Sequence, residues 1–382
     1  MNRDLLISNL KKIREEQQLS QEQVAERSGL SRGAYRNIEG GQAQPRMRNL
    51  EAIARALSVP VGELFEPTLT LTQVRFRSHK RLRTRGQILT RAARWLSDYH
   101  ELEVLLGRQR PFKLKGVIAQ LSGEDRAITA AQLTRAALGL TAHEPIRDIC
   151  GLLDAAGVKV LSLPIASDAF FGLSIGMADQ GPAVVVNTWE RLSVESWIFS
   201  AAHELGHLLL HLADYDHAQD EVELKHEREA DRFASELLMP DAVFQQAWAE
   251  SAGLPLVPRV IKLKRMFRVS YQTVLRRLAP SYQGNADDIW AHFYTDYHQR
   301  TGRTLSRADE PVTPEHQLIV SMPDALRSQE PDHLSSSDFH EDRLSGLVRS
   351  ALESGEISFG RGAEILGISL KALRTLSSSW IA

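Results

Sequence analysis

The chain has almost no cysteine: Cys150 is the single one among 382 residues. One thiol closes no internal disulfide and builds no thiolate metal site, which excludes stapled secreted scaffolds and cysteine zinc clusters. Beside Ile149 it reads as a small buried hydrophobe, and the usage fits a reducing cytosol. Long apolar runs are also missing. The greasiest stretches are interrupted by charge or glycine, and none approaches the length of a transmembrane helix. The first residues, MNRDLLISNLKKIREEQ, turn charged too soon for a secretory leader. These absences predict a cytoplasmic protein with no membrane partner. Excess charge of either sign is lacking too. The formal net charge is −2, with 25% charged and 43% hydrophobic residues, an ordinary globular balance. Any binding to nucleic acid must therefore come from a local patch.

What is present falls into blocks, and the length allows two or three domains. Residues 1–67 read as a compact set of short helices. Residues 68–125 form a basic segment and linker helix. Within it, LTLTQVRFRSHKRLRTRG alternates apolar and basic residues and suggests an extended stretch; ILTRAARWLSDYHELEVLLG (88–107) is helical. The many Arg of 73–94 suit a phosphate backbone or a solvated linker face. Residues 126–280 mix helices with strand candidates at 158–165, 171–177 and 183–188. Two strong helices follow, at 192–213 and about 222–238. Residues 281–382 are expected to be helical, with a flexible loop near 303–340 where Pro, Ser, Asp and His accumulate. In this last block ISFGRGAEILGISLKALRTL (357–376) reads as a small helical packing or dimer module.

The first block carries a helix-turn-helix pattern. Ser20 is a fitting N-cap, with Gln23 three residues on to complete a capping box. Val24 and Ala25 supply a buried face, and Gly29 suits the left-handed turn that ends the helix. Ser31 caps a second helix, which Gly40 and Gly41 close. That helix presents Arg32, Tyr35 and Arg36 near its start, where recognition helices meet base edges; arginine matches the acceptors of guanine. Gln21 and Ser31 stand where helix N-termini meet phosphates.

The strongest chemistry is HELGH, His203 to His207. Four residues along a helix place the two imidazoles on one face about 6 Å apart, able to grip one zinc at about 2.0–2.1 Å. Glu204 reaches water at the metal without ligating it, as a general base must. His211 is about 12 Å from His203 along the axis and cannot share the ion; it reads as a supporting histidine. A third ligand is expected from HEREADRFASELLMP (226–240). Glu227 shares a face with Ala230, Asp231, Ala234 and Leu237, which points inward, whereas Glu229 shares one with Arg232 and Glu236, which points to water. Glu227 is therefore the expected ligand. Asp231, one turn on, can hold a ligating histidine through its free ring nitrogen. His226 and Glu223 read as surface residues. Zinc is the expected metal, and the sequence does not exclude manganese or iron.

Two resemblances follow from these motifs. The segment from Leu19 to Phe65, with its glutamine at the start of helix two, its IEGG exit, Pro45 and the closing ALSVPVGELF, resembles the XRE/Cro-type repressor family. That implies a DNA-binding domain of five helices, often working as a dimer on a palindromic double-stranded operator. The pieces FGLSIGM, VVVNT, FSAAHELGHLLLHL and EREADRFASELLMP resemble the ImmA/IrrE metallopeptidases. That implies an α+β, mostly helical chain with a zincin-like core and a small sheet above the active-site helix. It implies His203, His207 and Glu227 as metal ligands and Glu204 as the catalytic base. It also implies one specific cut in a repressor or antitoxin-like protein, or in the chain itself. The AVVVN strand is expected to pair with an extended substrate, and Asn187 at its end to bind substrate backbone or to shape a turn. No side chain is assigned to steady the oxyanion; a His or Tyr is the usual type. The alternative to an enzyme is a transcription factor whose zincin-like domain senses a metal or ligand, or holds a partner.

Overall fold

The computed structural model describes residues 3–17, 19–65, 71–78, 85–121, 123, 125–141, 143–215, 224–281, 288–306, 309–312 and 334–381. Most of the expected 303–340 loop, part of the basic stretch and Glu223 lie outside these. The fold is α+β and mostly helical, with one four-stranded sheet among the described residues. The chain divides into two compact units. One comprises Met1–Leu71 and Lys80–Ser97, the other Thr72–His79 and Asp98–Ala382.

The first unit opens with α1 (Arg3–Glu16), α2 (Gln21–Ser28), α3 (Arg32–Glu39) and α4 (Met47–Ala56), followed by a 3-10 turn at Val61–Phe65 in the place of a fifth helix. Ser20 caps α2 in a complete capping box with Gln23, and Gly29 ends it at φ 68°. That backbone angle favours glycine because it carries no Cβ. Ser31 caps α3 by accepting from Ala34 N. Leu6, Leu10, Val24, Tyr35, Ile38, Leu50, Ile53 and Leu64 form the core these helices share.

The second unit contains the sheet. Its strands are β1 (Val74–Ser78), β2 (Lys159–Leu163), β3 (Phe170–Ile175) and β4 (Ala183–Asn187), in the order β1-β3-β4-β2. β1 and β4 each run antiparallel to β3, while β2 and β4 are parallel. β4 is buried at every residue, as an interior strand with an apolar run at 183–186 requires. Helix α5 (Arg85–Leu105) spans the boundary between the units, and α6 (Lys115–Ile118), α7 (Arg126–Ala137) and α8 (Ile149–Ala155) precede β2.

Two helices then build the site. Against β3 and β4 lies α9 (Val194–Leu210), and against it α10 (Leu224–Leu238). Ser193 caps α9, and its apolar residues bury nearly the whole helix. Helices α11 (Asp241–Glu250), α12 (Leu256–Phe267), α13 (Tyr271–Leu278) and α14 (Asp288–Thr301) complete this layer. A last trio, α15 (Arg343–Glu353), α16 (Phe359–Ile365) and α17 (Leu370–Ser378), is joined to α5 by ion pairs from Arg361 to Asp98 and Glu101.

Candidate metal centre

His203 and His207 stand one turn apart on α9, their ring centroids 4.6 Å apart. Both are fully buried, as is Glu204 between them. The third side chain, Glu227, sits in the first turn of α10. Its Oε2 lies 3.3 Å from His203 Nε2 and its Oε1 3.2 Å from His207 Nε2. Among the described residues, this is the one trio whose ligand atoms all fall within 4.8 Å of one another.

Two glycines make the convergence possible. A Cβ at Gly206 would stand 2.9 Å from Phe233 Cδ1 and 3.3 Å from Ala230 Cα, so its absence lets α10 close on α9. A Cβ at Gly172 would meet Val185 O at 2.8 Å and Glu204 Oε1 at 3.0 Å, so β3 passes directly over the carboxyl of Glu204. The spacing of HExxH says nothing of either contact.

Hydrogen bonds fix the protons. Asp231 Oδ1 lies 2.8 Å from His203 Nδ1; a carboxylate only accepts, so His203 donates from Nδ1 and its Nε2 is the atom that faces Glu227. The second chain is longer. Arg126 donates to Glu229 at 2.6 Å, Glu229 accepts from His211 Nε2 at 2.9 Å, and His211 Nδ1 lies 3.0 Å from His207 Nδ1. A neutral His211 that donates from Nε2 must accept at Nδ1, so His207 donates from Nδ1 and turns its Nε2 toward Glu227. His207 Nε2 is buried, and among the described residues its near neighbour is Glu227 Oε1 at 3.2 Å.

The charges agree. Burial holds His207 well below its ordinary pKa against the pull of Glu227, and pushes His211 down to about 4 despite Glu229. Burial opposes the charge of Glu227, but the contacts with His203 and His207 outweigh it and hold the carboxyl well below the usual range. Two imidazole nitrogens and one carboxylate thus converge with their ligand atoms within 4.8 Å of one another, a donor set that takes a divalent cation once no proton stands between them. Ligands at about 2.0–2.1 Å around a tetrahedral ion stand about 3.3–3.4 Å apart, close to the spacings seen. The residues fit a divalent metal.

In the first unit, Arg32 and Arg36 are exposed on α3. Arg32 makes a loose 3.9 Å contact with Glu22 between strongly exposed side chains, worth little. Tyr35 corrects the sequence reading. It is fully buried, on the core face of α3 with Ile38, and has no surface to offer DNA. Gln21 donates to Glu39, which also receives Arg14, so it clamps α2 to the end of α3. Ser31 is engaged as the α3 cap.

Known proteins share both parts. Residues 10–64 match the family model described as helix-turn-helix, and residues 153–279 that of the IrrE N-terminal-like domain, a peptidase family. An uncharacterized HTH-type transcriptional regulator of Sinorhizobium fredii, y4dJ, is 39% identical over 66 residues, 17% of this chain and 86% of that protein. The chain belongs to the helix-turn-helix regulators and carries an IrrE N-terminal-like domain.

Within the IrrE-like domain several expectations change. β4 is paired along both edges, so no substrate strand can join it. Asn187 is 1% exposed. Its amide donates to the carbonyls of Ile165, Ser167 and Phe170 and accepts from Ile165 N and Trp189 N. It shapes the loop before β3 and has nothing left for substrate. Glu229 is drawn inward by His211 and Arg126, although its helical phase pointed outward. His226 is buried and stacked on His211 at 4.1 Å. Arg75 was missed altogether. From β1 its Nη2 reaches Glu227 Oε1 at 3.4 Å and its Nη1 lies 3.2 Å from His226 Nδ1. In sequence it is one of many arginines in a basic stretch, and only the β1–β3 pairing separates it from the rest.

Proposed function

We propose that the protein is a cytoplasmic DNA-binding regulator whose IrrE-like domain is a zinc-dependent endopeptidase. Its substrate is a helix-turn-helix repressor or antitoxin-like protein, or the chain itself, cut at one site. The observation that carries this reading is the convergence of His203, His207 and Glu227, with the buried carboxyl of Glu204 on the same helix between the two histidines. A metal store or purely structural site has no need of that carboxylate.

His203, His207 and Glu227 would hold the ion, their rings aimed by Asp231 and by the His211–Glu229–Arg126 chain. Bound there, zinc supplies Lewis acidity toward a scissile carbonyl and toward water. Glu204 takes a proton from the attacking water and delivers it to the departing nitrogen as the C–N bond breaks. Beneath Gly172 this carboxyl is shielded from bulk solvent. In the first unit Arg32 and Arg36 reach base edges in the major groove, and a homodimer would read a palindromic operator.

Complete burial of His203, Glu204 and His207 favours a second reading, a metal sensor without turnover. Co-expression with candidate repressors separates the two. Wild type cleaves one of them, or itself, and Glu204→Gln binds zinc equally but cleaves nothing. Intact proteins with both forms would reject the peptidase reading.

A further inference from the structure

Addition of water to a peptide carbonyl leaves a negative charge on its oxygen, and a donor fixed beside that oxygen lowers the barrier. Among the described residues, the tyrosine and histidines near the trio are already engaged. Tyr215 is buried and donates to Ser174 Oγ at 2.6 Å. His211 is held between His207 and Glu229. His226 is stacked on His211 and turned toward Arg75.

Arg75 stands differently. Of the trio only Glu227 reaches solvent, at 13%, and Arg75 beside it is 16% exposed. A substrate carbonyl arriving from solvent therefore comes in on the side that Arg75 occupies. The guanidinium has five N–H donors, and its contacts with Glu227 and His226 engage two nitrogens once each. Its backbone is fixed. β1 pairs with β3 over five residues, with Arg75 opposite Ser174. Asp179 accepts from Thr72 N and Thr72 Oγ1 at 2.6 Å each, and Gly176 N donates to Gln73 O at 2.7 Å. A donor held this way needs little reorganisation when charge develops.

We propose, on the peptidase reading above, that Arg75 is a catalytic residue: its forked N–H groups receive the oxyanion of the scissile carbonyl. The water oxygen bonds the carbonyl carbon while its proton goes to Glu204, and the π pair moves to the oxygen facing Arg75. When that pair returns, the C–N bond breaks and the nitrogen leaves with the proton from Glu204. The residue lies outside the matched segment 153–279. It sits on a strand that, in sequence, falls between the two pieces of the helix-turn-helix unit, Met1–Leu71 and Lys80–Ser97. The IrrE-like core is thus completed from the segment that also joins the DNA-binding part.

The test uses the full-length, zinc-loaded protein and a phosphinic tripeptide, a tetrahedral anion that mimics the addition product. Its affinity is measured by calorimetry for wild type, Arg75→Ala and Arg75→Lys, alongside zinc affinity by competition with a chromophoric chelator. Arg75→Ala is expected to weaken the phosphinic peptide about 100-fold while zinc affinity stays within about threefold of wild type. Arg75→Lys, which keeps the charge and guards against misfolding, should fall between. Free guanidinium should restore part of the binding to Arg75→Ala. Equal peptide affinity in all three forms, or a loss confined to zinc affinity, overturns the assignment of Arg75 and leaves the peptidase reading standing. A zinc-loaded wild type that ignores the phosphinic peptide overturns both.

Discussion

Replacing Gly206 with alanine tests how closely the two site helices must approach. The added Cβ would sit 2.9 Å from a ring carbon of Phe233 and 3.3 Å from the backbone of Ala230. Carbons in contact prefer about 3.5–4.0 Å. Phe233 is fully buried, and the Ala230 Cα cannot rotate away, so α10 must retreat by roughly half an ångström. Helix propensity acts in the opposite sense and favours alanine by about 1 kcal/mol. Overpacking costs about 1–3 kcal/mol, which leaves a net loss between zero and ~2 kcal/mol. Zinc affinity is the sharper readout. Glu227 lies on the same helix as Ala230, one turn earlier, and moves with it. Disturbance of a ligand's support weakens metal binding about 10–100-fold. Zinc titration against a chromophoric chelator and thermal melting of the zinc-free protein measure the two effects. A variant that melts higher than wild type and binds zinc as tightly would refute the claim that this glycine sets the helix spacing.

Asp231→Ala and Glu229→Gln each remove one support of a ligating histidine, and each should weaken zinc about 10–100-fold in the same titration. Tyr35→Ala should lower the melting temperature of the helix-turn-helix unit by the equivalent of about 3–5 kcal/mol. Arg32→Ala and Arg36→Ala should leave that melting unchanged and weaken DNA in a gel shift at fixed salt. The carboxyl of Glu310 predicts a pH effect. It is half-buried, with Lys264 at 3.1 Å, Glu195 on the same ammonium, and Tyr271 N and Ser193 Oγ in hydrogen-bond reach. Burial raises its pKa, Lys264 lowers it and Glu195 raises it, to about 7 from 4.5. Between those values the folded chain holds more protons than the unfolded one, so stability falls as pH rises through that window. Glu310→Gln removes the loss. It should gain on the order of 1–3 kcal/mol over wild type at pH 8 and almost nothing near pH 4.5, by thermal melting across pH.

Periodicity made the converging trio legible. The i, i+4 spacing placed His203 and His207 on one face, and the phase of α10 chose Glu227 over Glu229. The same logic failed one step further out. Glu229 has outward phase, yet Arg126 and His211 come from other elements and draw it in; His226, read as a surface residue, lies in phase with buried Ala230, Phe233 and Leu237. Tyr35 failed for a related reason. Its place near the start of α3 suggested a DNA contact, but its phase with Ile38 and the packing of α2 put it in the core. The pairing of β4 was misjudged because strand order does not follow from strand sequence, and of the two readings of Asn187 the turn is the one its hydrogen bonds take. An all-valine run fits an interior strand and an open edge alike, until β2 and β3 are seen to flank it. Arg75 was illegible because its meaning rests on a strand pairing about 100 residues apart in sequence.

The central claim is that one divalent ion is shared by His203, His207 and Glu227, and X-ray absorption at the zinc edge tests it most directly. The zinc-loaded chain should show one zinc per protein, with two imidazole nitrogens and oxygen neighbours at about 2.0–2.1 Å. In Glu227→Ala one protein oxygen should be lost and the affinity should fall. A protein that retains no zinc after dialysis, or a spectrum that Glu227→Ala leaves unchanged, would contradict the account.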